Sequence, residues 1–166
     1  PMPQAVRGDP QGQPNPKRKL KFPLHQAMNA SFSATTLDGT NFDGATVEHA
    51  NFEAADLTRT NFQDAYLHAA YFGGANLRNA NFSNANLEGA NLGGGDFTDA
   101  NFTGANLTGA VLEGGDFRNA DFGDADLTGA NLSGADFANA DLRGQSLVGA
   151  NLVGATYRDG MVDLTV

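Results

Sequence analysis

The 166-residue sequence contains no cysteine and no tryptophan. Without cysteine it has no disulfides, no thiolate metal ligands and no thiol nucleophile. No apolar run approaches the roughly 20 residues of a membrane helix, so no membrane association is expected. The N-terminal region lacks the apolar stretch of a secretory signal, and a cytoplasmic location is the expectation. Basic residues are few: ten Lys and Arg stand against 19 Asp and Glu, for a formal charge of −9. That balance argues against direct nucleic-acid binding by the body of the protein.

What basic charge there is gathers at one end. Residues 1–29 carry five basic side chains and one acidic, and residues 30–166 carry five basic and 18 acidic. The first segment also holds Pro1, Pro3, Pro10 and Pro14 and the run Lys17, Arg18, Lys19, Lys21. Residues 1–19 bury too little apolar surface to order themselves and read as a disordered tail. Residues 20–29, with Phe22, Leu24, Ala27 and Met28, read as an N-terminal cap. Pro23 suits the first turn of a short helix there, with Phe22, Leu24 and Met28 packing on Phe32.

From Ala30 the sequence repeats every five residues without a slip. Ala75-Asn76-Leu77-Arg78-Asn79 is followed by Ala80-Asn81-Phe82-Ser83-Asn84 and Ala85-Asn86-Leu87-Glu88-Gly89. Positions 30–164 make 27 units, and the centre of every one is Phe, Leu, Val or Tyr. Two residues before the centre stands Ala in 20 units, with Thr, Gly or Gln in the rest. A period of five suits neither a helix nor an alternating strand. It suits a chain that turns a corner every five residues. The small residue and the large centre, two apart in extended backbone, face inward, and the Asn or Asp between them faces outward. Gly at the end of many units suits a corner with positive φ.

The pattern A-(N/D)-(L/F)-x-x over residues 30–166 resembles the pentapeptide-repeat family. The resemblance implies an all-β fold: a right-handed quadrilateral parallel β-helix of about seven coils, 20 residues to the coil, here with a short N-terminal helical cap. Nothing in the pattern assembles a triad or an acid–base pair in a cleft, so a non-catalytic protein is expected. Some bacterial members look like DNA in shape and charge and bind DNA gyrase in its place.

Folding the sequence by 20 gives four inner columns. One holds Phe42, Phe62, Phe82, Phe102 and Phe122. A second holds Phe32, Phe52 and Phe72 and then turns to Leu at 92, while its neighbour turns from Leu to Phe97, Phe117 and Phe137. The fourth is aliphatic. Each of the first five coils therefore keeps two Phe. Gly95 and Gly115 stand where Ala is usual, making room for Phe97 and Phe117. Gln145 is the one bulky polar residue in an inward slot and should distort its coil or turn outward.

Outward columns bring carboxylates together: Asp56, Asn76, Asp96, Asp116 and Asp136 in one, Asp121 and Asp141 in the next. Thirteen of the 18 acidic residues fall on these two adjacent sides, a possible acidic interaction face. Glu48, His49, His68 and Glu88 lie close in the register, where a solvated ladder competes with a metal site. No metal or other cofactor is expected. The five Asn-x-Ser/Thr sites are products of the repeat, Gly93-Gly94-Gly95 lacks the Lys of a phosphate loop, and Arg7-Gly8-Asp9 is a chance tripeptide. No Ser has a His base in register, so no catalytic residue is assigned.

The expectation is a structural or protein-interaction solenoid of unknown partner; the alternative is a DNA mimic that binds gyrase or topoisomerase. Met161, Val162, Leu164 and Val166 form an apolar end, which suggests a homodimer through the C-terminal coil. The inward assignment has a direct check. Phe82→Ala should cost roughly 3–5 kcal/mol through the cavity it leaves, and Asn79→Ala far less. Equal losses in thermal unfolding would refute it.

Overall fold

The structure, a computed structural model, describes residues 27–158. Over that span the chain pairs with itself in parallel at a fixed offset: Ser31 bridges Asn51, Asn51 bridges Tyr71, Tyr71 bridges Asn91, and so on to Asp136 with Thr156. Every bridge joins residue i to i+20, so a coil takes 20 residues in four sides of five. The sides are numbered from the first repeat: face 1 begins at residues 30, 50, 70 and onward, face 2 at 35, face 3 at 40 and face 4 at 45. The bridges are isolated, because each side has one paired residue before the next turn.

The amides of a unit account for this regularity, as residues 51–55 illustrate. Asn51 N–H donates back to Ala30 O in the preceding coil. Phe52 and Ala54 donate forward to Tyr71 O and Gly73 O. Ala55 N–H closes the turn on Phe52 O. Glu53 N–H, left over at the corner, is accepted by the Asn51 side chain at 2.8 Å. No amide of this unit is left without a partner. Where Asn or Asp stands ahead of the centre, it is the acceptor for the one amide the coils do not use.

The fourth residue of each turn closes on the first, and the third has φ between +52° and +77° at all 26 corners from Asn29 to Gly154. Positive φ at that position is the type II pattern. Half of the corners are Gly; Asn or Asp fill eight more, and Ala34, Ala54, Ala69, His49 and Arg59 the rest. The last five accept a left-handed backbone that costs about 1–2 kcal/mol in a non-Gly residue.

Inside, Phe42, Phe52, Phe62, Phe72, Phe82, Phe97, Phe102, Phe117, Phe122 and Phe137 are sealed from solvent, and Phe32 nearly so. Within a column the rings lie nearly parallel, with centroids 4.8–5.2 Å apart. Between columns the geometry changes along the rod. Up to residue 82 the Phe columns occupy opposite faces 1 and 3, and their rings meet edge to face at 77–90°. From Phe97 onward they occupy adjacent faces 2 and 3, and the angle falls to 50–60°. Both arrangements suit the ring quadrupole. A Cβ at Gly95 would lie 2.6 Å from the Phe97 ring, and one at Gly115 equally close to Phe117.

Two departures stand out. Helix over residues 23–29 does not hold for the part described. Ala27–Asn29 already form a solenoid corner: Ala27 is buried at a centre position, Asn29 N–H donates to Glu48 O, and Met28 is exposed rather than packed on Phe32. Register with the next coil overrides local helix propensity here, and no helix occurs among the described residues. Residues 1–26 and the C-terminal segment Met161–Val166 lie outside them. The second departure is Gln145. Its turn bond to Leu142 O stretches to 3.5 Å against 2.9–3.3 Å at the other corners, and its Oε1 is buried without a partner.

These last two sites give opposite outcomes for the same change. Gly95→Ala should lower stability by about 1–3 kcal/mol, because the added methyl meets a ring that has no room to move. Gln145→Ala should raise it, by about 1 kcal/mol or more, by removing an orphaned polar atom. Denaturant titration of both variants checks the pair; a stabilising Gly95→Ala or a destabilising Gln145→Ala would contradict this packing.

Candidate interaction surfaces

The outward residues form straight columns, because each stands on a bridge. Asp56, Asn76, Asp96, Asp116 and Asp136 follow one another up face 2, and Asp121 and Asp141 up face 3. Each of these Asp accepts the amide two residues on, at 2.9–3.2 Å. They do for their corners what Asn51 does for Glu53. Asn adds what Asp has no proton for, a bond between coils: Asn61 donates to Asn41 and Asn81 to Asn61, at 3.1 and 3.0 Å. Asp121 and Asp141 succeed Asn101 in that column with no amide to donate.

Arginines partly neutralise the carboxylate-rich faces. Arg118 grips Asp116 with Nε and Nη2 at 2.8 and 2.6 Å, and Arg143 holds Asp141 in the same way. Arg78 pairs with Asp96 at 3.1 Å, and Arg59 with Asp38. All five arginines among the described residues stand on faces 2 and 3. Within residues 27–158 those two faces hold 11 acidic residues and carry −6, and faces 1 and 4, with five acidic residues and no Lys or Arg, carry −5. Among the described residues, the lopsided distribution of carboxylates is therefore not a lopsided distribution of charge.

The bidentate hydrogen bonds from Arg118 hold the Asp116 carboxyl below its ordinary range. Arg143 brings Asp141 down to about 2, by its guanidinium and then its backbone N–H. Asp126 is lowered by hydrogen bonds from Thr128.

The corner between faces 4 and 1 is different. Tyr66 and Tyr71, on either side of it, are 53% and 51% exposed. His49 and His68 meet there edge to face, centroids 5.6 Å apart. With Glu48 and Glu88 they are the residues the sequence brings near a metal, yet no group of three or more ligating side chains converges among the described residues. A shallow open depression beside them is lined by His49, Asn51, Glu53, Tyr71, Gly73 and Asn91. The five-residue period alone does not mark either tyrosine. The signal was available: Tyr in two successive slots that elsewhere hold mainly Asn or Asp.

Comparison with known proteins agrees with this construction. Pentapeptide repeats match in eight copies, over residues 28–64, 60–104, 85–124, 96–134 and 125–156. The chain belongs to the pentapeptide-repeat family. Among solved pentapeptide-repeat structures, HetL of the cyanobacterium Nostoc sp. strain PCC 7120, a protein involved in heterocyst differentiation regulation, is 31% identical. It aligns over 76% of this chain and 68% of its own, with a TM-score of 0.64. A pentapeptide-repeat protein of the Arabidopsis thaliana thylakoid lumen is 32% identical over 68% of this chain and 71% of its own, TM-score 0.48. QnrB1, a plasmid-mediated fluoroquinolone resistance protein, is 23% identical over 80% and 67%, TM-score 0.45. A search of curated proteins returns no match. No helix among the described residues of this family member is long and apolar enough to cross a membrane.

The depressed carboxylates set a pH dependence. Each stabilises the folded chain above the ordinary carboxylate range, and that contribution is lost as pH falls through the folded value. The melting temperature should hold down to about pH 4 and drop between about 4 and 2, with Asp141→Asn showing a smaller drop. A melting temperature that is flat across this window would contradict the assignment.

Proposed function

We propose that this pentapeptide-repeat protein is a non-catalytic structural and interaction module that binds a protein partner along its faces. The observation that carries the reading is the fixed geometry of the outward columns. Parallel bridges and side-chain acceptors hold each outward residue one coil from the next, so the surface is rigid and already ordered before binding. Preorganisation of that kind lowers the entropic cost of association. HetL's involvement in regulating differentiation is in keeping with a role exercised through contacts.

The DNA-mimic reading draws on the Asp columns of faces 2 and 3. Arg59, Arg78, Arg118 and Arg143 weaken it, because they put cations where a phosphate mimic needs uncompensated charge. A gyrase supercoiling assay separates the two: the interaction reading expects no inhibition by the purified chain, and inhibition at stoichiometric protein would favour mimicry. Self-association is a further proposal. Val148 and Val153 are exposed and Leu152 and Tyr157 only partly buried toward the C-terminal coils, which gives a second copy an apolar surface. Analytical ultracentrifugation should find a dimer; a monomer at high concentration would rule it out.

A further inference from the structure

We propose that the corner between faces 4 and 1 is the partner-binding edge, and that it receives an extended segment of another protein rich in Arg and Lys. The inference rests on the interaction reading above and adds the place and the chemistry.

Three observations converge. The first is local cost. Where Asn or Asp precedes a centre, it accepts the corner amide two residues on; Tyr66 and Tyr71 have no acceptor positioned to do this for His68 and Gly73. Two successive units give up that bond and hold half-exposed aromatic rings in water instead. Both positions point away from the core and about half of each ring stays in water, so folding gains less from them than from a buried aromatic.

The second is charge. Glu48 lies one coil before His68 in the corner column, Glu88 one coil after it, and Glu53 one coil before Gly73. No ion pair among the described residues involves any of the three, and neither face supplies an Arg or Lys. On faces 2 and 3, by contrast, four carboxylates are already paired with arginine. Among the described residues the corner is thus an anionic site without a counterion.

The third is access. Gly73, which lines the depression with Tyr71, adds no side chain to it, and the space beside it is open: a Cβ there would come no nearer than 3.9 Å to the Gly93 carbonyl. The resulting depression reaches from His49 to Asn91 across three coils. Aromatic faces bordered by carboxylates are what a guanidinium or ammonium group binds, by stacking on the ring and pairing with the acid. Coils repeat near the strand spacing of about 4.8 Å and an extended chain repeats a face about every 6.7 Å, so cations on alternate residues fall against every coil or second coil, within the reach of long Arg and Lys side chains.

The test is fluorescence anisotropy of a short fluorescein-labelled peptide of alternating Arg-Ser and Lys-Ser, titrated with the full chain and its variants. Tyr66→Ala with Tyr71→Ala leaves the net charge unchanged and should weaken binding about fivefold to tenfold. Glu48→Gln with Glu53→Gln and Glu88→Gln should weaken it at least as much. Asp121→Asn with Asp124→Asn and Asp141→Asn removes the same charge from face 3 and should have little effect. No binding, no loss in the tyrosine variant, or an equal loss in the face 3 variant would overturn the proposal. A tenfold gain on replacing Lys17, Arg18, Lys19 and Lys21 by Gln would assign the edge to the chain's own basic run and overturn it too. Those results would leave the broader interaction reading standing, which falls only if no face contributes to binding any protein.

Discussion

Five backbone amides per unit have to be satisfied, and the rest of the molecule depends on how this is done. Three are used between coils, one closes the corner, and one has no backbone acceptor at all. The last is best met by a short side-chain acceptor two residues earlier, which is why Asn and Asp recur before the centre. The same accounting fixes the coil at 20 residues and so decides which side chains stack on which. A solenoid built this way makes only neighbour-to-neighbour contacts, so its stability accumulates coil by coil.

The interior adds a second constraint, constant volume. Two Phe per coil fill the space whether their columns face each other or stand side by side, and the ring angle adjusts from perpendicular to oblique. The crossover near residue 92 needs Gly at 95 and 115. Phe137 manages with Ala135 beneath it, and the Phe117–Phe137 stack is correspondingly the loosest, at 5.2 Å. Gln145 lies one coil beyond Ala125 on face 4, where the repeat tolerates a lapse in its own rule at the expense of a stretched turn.

Much of this was legible in the sequence, for a physical reason. A period of five survives only if every unit meets the same environment, so the columns can be read by folding the text at 20. What escaped the text escaped it for equally physical reasons. Ala27 is too small to look like a centre, so residues 27–29 read as helix cap rather than corner. Half of the left-handed corners are not Gly, because a solenoid enforces φ through pairing on both sides of the turn. The neutralising arginines were invisible to column counting: Arg118 and Arg143 reach back two residues, and Arg78 and Arg59 cross to a neighbouring coil. The exposed tyrosines broke the pattern without breaking the period, and a search for regularity passes over that kind of signal.

Residue-resolved amide hydrogen exchange tests the amide assignment most directly. Protection should repeat every five residues through the middle coils. The centre, the residue before it and the positive-φ corner residue should exchange slowly, and the residue just after the centre fastest. Within that fast class, His68 and Gly73, which follow Tyr rather than Asn or Asp, should be faster than Glu53 or Ser83. Protection with a helical period, or equal protection of Phe82 and Ser83 amides, would contradict the account.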